Sequence, residues 1–243
     1  MPWPTEVPEQ VRVVVRHEER ELTGAVRPDE SWAEAARRIA RPGADPVAVD
    51  LSGDELVFAV DADRVVALRP MTHGDLDRVT RWRDGPAVRQ WWQIGAEQTL
   101  EQIREMYAER IDGRSPTRMW IVEVNGRSVG FVQDYVLRDY PDYAVLAPDP
   151  DAVGVDYAIG ADEWRGRGLG TAILWAWAMQ TRELRSDATT YFAAPDHRNR
   201  ASLRILAKAG FVEGTWFDDP QSDGSVHTVV GCTLDVRRVL GGP

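Results

Sequence analysis

The chain has 243 residues, with 39 acidic side chains against 29 Lys and Arg and a net charge of −10. That balance argues against a general nucleic-acid binder, which needs a basic face to displace counterions from phosphates. One cysteine, Cys232, excludes an intramolecular disulfide framework, and the longest apolar run, 172–179, is too short to cross a bilayer.

The start, Met1-Pro2-Trp3-Pro4, lacks the cationic and apolar regions of a secretory signal, so the expectation is a soluble cytoplasmic protein with no membrane partner. Residues 1–66 carry 14 acids and 8 Arg and read as a unit of their own. Val11–Val15 is a β-branched run that predicts a strand, and Glu21–Val26 can pair with it. Ser31 and Glu34 form a capping box before a helix to Ile39, which Arg41-Pro42-Gly43 stops. Two short strands, Val47–Leu51 and Glu55–Val60, complete a ββαββ, β-grasp-like module. It contains no catalytic constellation, and a packing or oligomerisation appendage is its plainest reading.

A second unit, 67–243, begins with another capping pattern, Thr72 and Asp75, before a helix whose apolar stripe is Leu76, Val79 and Trp82. Gly85-Pro86 ends it, and Trp91-Trp92 follow in a loop. Thr99 and Gln102 cap a further helix with Leu100, Ile103, Tyr107 and Ile111 turned inward. Strands at Met119–Val124 and Arg127–Leu137 flank Asn125-Gly126, a strong hairpin signal. Residues 138–152 read as loop, and Val153–Ile159 as strand. A glycine-rich turn, 166–170, then enters an apolar helix, 172–184. The chain closes with a strand (189–193), a helix (199–209) and a hairpin, 211–217 with 226–234, turning at Asp223-Gly224.

The chemistry centres on Arg165-Gly166-Arg167-Gly168-Leu169-Gly170-Thr171. A glycine-rich strand-to-helix turn presents backbone amides at a helix N-terminus, and such a turn binds phosphate. It is not a P-loop, because no Gly-Lys-Ser/Thr is present, and its glycine spacing is not that of a dinucleotide fingerprint. Histidines 17, 73, 197 and 227 show no metal-ligand spacing, so no metal is expected.

This segment resembles the acetyl-CoA-binding motif of the GNAT superfamily of N-acetyltransferases, Gln/Arg-x-x-Gly-x-Gly/Ala, matched by Arg165, Gly168 and Gly170. Asn199 to Phe211, ending Lys208-Ala209-Gly210-Phe211, resembles the family's following helix. Several positions are similar to aminoglycoside 6′-N-acetyltransferases: Trp91-Trp92, the strand Val129 to Tyr135, and Gly154-Val155-Asp156. The resemblance implies an α+β fold with a mixed, mostly antiparallel twisted sheet flanked by helices. It implies acetyl transfer from acetyl-CoA to a primary amine of a cationic small molecule, by a monomer or homodimer.

By that resemblance, Asp156 is the base, and Arg165, Gly166, Arg167, Gly168, Leu169, Gly170 and Thr171 receive the pyrophosphate. Tyr157, Ile159 and Asn199 line the pantetheine arm, although Asn199 also suits a helix cap. Trp91, Trp92, Gln133, Asp134, Tyr135 and Asp223 are the candidate acceptor-binding residues. An acidic run, Asp134, Asp139, Asp142, Asp149, Asp151 and Asp156, flanks the strand that holds the base and would steer a polyamine inward.

Two departures stand out. The tyrosine that many family members use to protonate the leaving thiolate is Leu206 here, leaving Tyr157 or Tyr135 as substitutes. An acceptor-binding Asp of the aminoglycoside group is Ala194. Two other readings remain open at this stage: a siderophore-pathway N-acyltransferase and a non-catalytic CoA-binding sensor.

Overall fold

A computed structural model describes residues 10–92, 99–141, 149–220 and 224–242. Residue Asp223, proposed above for the acceptor, and Asp142 of the acidic run lie outside the described residues.

The N-terminal segment builds a four-stranded sheet from β1 (Gln10–Val15), β2 (Arg20–Ala25), β3 (Val47–Asp50) and β4 (Glu55–Val60), in the order β2-β1-β4-β3. β1 pairs antiparallel with β2 and parallel with β4. The crossover that a parallel pair requires is made by α1 (Trp32–Ile39) together with β3. The Ser31 capping box closes as the sequence predicts: Glu34 N donates to Ser31 Oγ at 3.2 Å, and Ser31 N donates to Glu34 Oε2 at 2.7 Å.

Val66-Ala67-Leu68-Arg69-Pro70 forms β5 (Val66–Pro70), a strand the sequence reading passed over. Its proline is tolerated because β5 is the terminal strand of the large sheet. That sheet continues through β6 (Arg118–Val124), β7 (Arg127–Val136), β8 (Val153–Ile159), β9 (Thr190–Ala193), β10 (Val212–Pro220) and β11 (Val226–Asp235). The order is β10-β11-β9-β8-β7-β6-β5, antiparallel except for β8 beside β9.

Helices α2 (Leu76–Asp84), α3 (Pro86–Arg89) and α4 (Leu100–Ile111) enclose one core with Met119, Ile121 and Phe131. Pro86 ends no more than the first of these; at the opening turn its fixed φ suits a new helix, so α3 begins on it. Leu100, expected to face inward, is 51% exposed, while Ile103 and Tyr107 are buried. Leu100 is the first residue of α4, outside the turns that lie against the sheet.

A larger core joins both sheets through α5 (Leu169–Leu184), α6 (Arg200–Lys208) and α7 (Val236–Leu240). Phe58 of the small sheet meets Trp175 of α5 edge to face, centroids 5.4 Å apart. The small sheet also holds α6: Leu51 N donates to Lys208 O at 2.9 Å, and Lys208 pairs with Asp50 at 3.0 Å. The first 66 residues thus brace both helices whose N-termini carry the conspicuous motifs, Gly168 and Asn199.

Candidate active site

The feature that positions the site is an interruption between β8 and β9. They pair only at Val153 with Tyr191 and Gly154 with Phe192. Beyond Gly154, β8 continues to Ile159 with β7 as its partner, and its other edge opens into a gap. Unpaired strand backbone of this kind can hydrogen-bond an extended ligand as an added strand would.

At the end of β8 the chain turns through the glycine segment into α5. Gly166 and Gly168 have φ of +71° and +69°, which disfavours a side chain at either position. Gly168 is the N-cap of α5 and supplies no side-chain hydrogen bond, so the first amides of a 16-residue helix are left for an external acceptor. Gly170 is required for a different reason. A Cβ there would lie 2.6 Å from Ile205 Cδ1, so glycine lets α6 approach α5 closely.

Arg165 does not extend toward that helix end. Its Nε donates to Ile159 O at 3.1 Å and its Nη2 to Gly160 O at 3.2 Å, tying the turn to β8. One lone pair of the Ile159 carbonyl is taken by this contact. Arg167 is exposed, and its carbonyl accepts from Arg64 Nη1 at 3.3 Å, a contact from the β4–β5 connection.

A cavity of about 190 Å³ opens at the gap. Trp91, Trp92, Gln133, Tyr135, Asp156, Tyr157 and Asn199 all line it, as do Ser202, Asp196, Asp219 and His227. Period-two alternation accounts for the β7 contributors: Gln133 and Tyr135 face the cavity, and Asp134 between them faces the other way. Asp134 is fully buried; its carboxylate accepts from Trp120 Nε1 at 2.6 Å, Trp177 Nε1 at 3.1 Å and Arg118 Nε at 2.6 Å. It is a structural hub beneath the sheet rather than an acceptor ligand.

Asp156 sits directly across from Gln133 in the β7–β8 register, and Gln133 Nε2 donates to its Oδ2 at 2.7 Å. Arg110 of α4 donates to the Gln133 Oε1. Burial pushes the Asp156 carboxyl above the ordinary aspartate range, while hydrogen bonds from Gln133 and Tyr135 and the charge of Arg110 oppose the rise. The result is a carboxylate whose proton affinity is raised, in a cavity, with one oxygen fixed.

The opposite side of the gap is built from α6. Asn199 caps that helix by accepting from Ser202 N at 3.0 Å. The Tyr157 hydroxyl lies 3.0 Å from Ser202 Oγ, and burial pushes its phenol upward. Leu206, one helical turn beyond Ser202, is buried in the core. Sequence reasoning missed Arg110, Ser202, Asp196 and His227, whereas Asp219 belongs to an acidic group, with Glu213, Asp218 and Asp223, already expected where an amine would approach. A signal existed for Arg110, a cation three residues after Tyr107 and seven after Ile103, on the apolar side of α4.

The profile of the acetyltransferase (GNAT) domain matches residues 72–219, more than half of the chain. Aminoglycoside N(6′)-acetyltransferase type 1 of Klebsiella pneumoniae is 28% identical over 150 residues, 60% of this chain and 73% of that protein. The Serratia marcescens protein of the same name matches equally. Among solved structures, AAC(6′)-Ib with paromomycin and acetyl-CoA superposes with a TM-score of 0.60 at 26% identity, covering 70% of this chain and 93% of that one. The same enzyme with coenzyme A and kanamycin gives 0.60 at 26%, covering 70% and 95%. With a profile match across the gap, the glycine turn and Asp156, the chain belongs to the GNAT acetyltransferase family.

Proposed function

We propose that the chain transfers an acetyl group from acetyl-CoA to a primary amine of an aminoglycoside, the 6′-amine first among candidates, with Asp156 as the base. The observation that carries this reading is the carboxylate itself: a half-buried aspartate of raised proton affinity, facing a cavity that opens at the β8–β9 gap. The relatives that support the acceptor class are aminoglycoside N(6′)-acetyltransferases.

The residues present fit such a donor. The free edge of β8 suits the amide-bearing pantetheine arm, and the open N-terminus of α5 suits the pyrophosphate. The loop face is open, with nothing within 4 Å of a Cβ built on Gly166 or Gly168. Bound there, acetyl-CoA supplies an acetyl thioester to an amine held in the cavity.

The protein's part is to deliver that amine uncharged. An alkylamine of pKa about 10.4 costs about 4–5 kcal/mol to deprotonate at pH 7. Asp156 binds the ammonium form through charge and then holds its proton, directly or through water. Raised affinity makes it a better proton acceptor. Trp91 and Trp92 flank the cavity and offer faces for sugar rings or a cation. Asp196 and Asp219 also line the cavity, providing carboxylates that the alanine at 194 does not. The Tyr157 hydroxyl, backed by Ser202, is the proton source for the departing sulfur, in the role that Leu206 cannot fill. Cys232 takes no part: it is buried, and its thiol is pushed up to about 12.

The test is CoA release across a panel of aminoglycosides with and without a 6′-amine. Turnover restricted to 6′-amino compounds supports the reading, and inactivity on every one of them overturns it.

A further inference from the structure

The geometry points to Arg110 as a positioning residue that sets the orientation and proton affinity of Asp156 by locking the amide of Gln133. This rests on the reading of Asp156 as the base.

Arg110 lies in the last turn of α4, half-buried, with its guanidinium 5.6 Å over the Tyr107 ring. It donates to Gln133 Oε1, and Gln133 Nε2 donates to Asp156 Oδ2 at 2.7 Å. A guanidinium has donors and no acceptor, whereas an ionised carboxylate has acceptors and no donor. Between those two groups only one amide orientation is favourable. The flipped amide would set its NH2 against the guanidinium and its oxygen against the carboxylate. Arg110 thereby removes the two-fold freedom that an isolated glutamine side chain has. The fixed N–H favours the ionised form of Asp156, holds Oδ2, and leaves the carboxylate's remaining capacity for the amine.

The cation also acts through space, opposing the rise that burial imposes. The other groups around Asp156 are few. Tyr135 hydrogen-bonds it from β7, and Tyr107 lies behind it on α4. Arg83 of α2 is buried beside Tyr107 and stacks 5.6 Å over Trp92. Tyr157 follows it on β8, and Asp196, Asp219 and His227 face the same cavity. Arg110 is the cation linked to Asp156 through a single amide, and nothing in the GNAT-type motifs marks it.

The experiment compares the intact protein with Arg110→Met, which keeps the stem over Tyr107, and with Arg110→Lys, which keeps charge without the planar fork. Asp156 is followed by 13C carboxyl titration, identified against Asp156→Asn, and kcat/KM is profiled against pH in parallel. The expected result is protonation of Asp156 at higher pH in the Met protein and a matching upward move of the acid limb. A kcat loss of about tenfold at pH 7 accompanies it, and the Lys protein falls between. A carboxyl titration that stays where it was, in a variant with parental circular dichroism and Tm, overturns the proposal; if the Met protein does not fold, an unmoved titration in the Lys protein does the same. If the parent acetylates no amine, the functional reading fails on its own, and the carboxyl titration still decides the role of Arg110.

Discussion

Replacing Asp134 by Asn separates a structural aspartate from a substrate-binding one. The two Trp indoles, Trp120 Nε1 and Trp177 Nε1, share Oδ2, and Arg118 Nε takes Oδ1. An asparagine has one oxygen and one NH2 in nearly the same volume, so it satisfies either the indoles or the arginine. With its oxygen toward Arg118, both indole N–H groups meet another donor at a site with no solvent access. Each such loss costs about 1–3 kcal/mol. Arg118 is 27% exposed, so water softens the alternative in which it loses its partner. The expected destabilisation is about 3 kcal/mol, which corresponds to a fall in Tm of about 6–12 °C for a chain of this size. Thermal unfolding by circular dichroism measures it, with KM for the acceptor determined at a temperature where both proteins are folded. An unchanged Tm together with a raised acceptor KM would refute the reasoning and return Asp134 to the substrate site.

Gly170→Leu forces a side chain into Ile205, 2.6 Å from where its Cβ must go, and is expected to cost about 1–3 kcal/mol of stability and to weaken CoA binding by separating α6 from α5; calorimetric titration with CoA measures the second effect. Tyr157→Phe removes the hydroxyl beside Ser202 and is expected to lower kcat about tenfold with little change in KM for acetyl-CoA, since a thiolate of ordinary pKa leaves without much help. Because burial raises the proton affinity of Asp156, the acid limb of kcat/KM is expected above the ordinary aspartate range, with activity present above that limb and lost as pH falls through it; a limb at or below the ordinary range would contradict the burial argument.

Local patterns carried much of the architecture. The Ser31 and Thr99 capping boxes, the Asn125-Gly126 hairpin and the β-branched run at Val11 are short-range signals, and all close in the structure as they read. β5 escaped notice because it is five residues long and ends in proline, and only its pairing with β6 defines it. Within the site, the glycine turn stood out because its chemistry is local to a strand-to-helix turn, and Asp156 because Gly154-Val155-Asp156 resembles a family motif. Asp134 was misjudged because a charged residue in an acidic stretch reads as surface, and only the pleat shows that it faces Trp177. The charges at Arg165 and Arg167 suggested a cradle for phosphates. In the structure Arg165 is tied to the turn by hydrogen bonds to Ile159 O and Gly160 O, and Arg167 is exposed. Arg110 reaches the site across two elements far apart in sequence, a relation that no motif spacing encodes. Among the described residues, none of the first 66 lines the cavity; that segment's visible work is to support α5 and α6.

Steady-state CoA release from a 6′-amino aminoglycoside, compared between the parent protein and Asp156→Asn, tests the central claim most directly. Asparagine keeps the shape and an acceptor for Gln133 Nε2 but cannot hold the amine's proton. The account predicts a kcat lower by about a hundredfold or more, with CoA affinity and Tm close to the parent's. Equal turnover in the two proteins would contradict it.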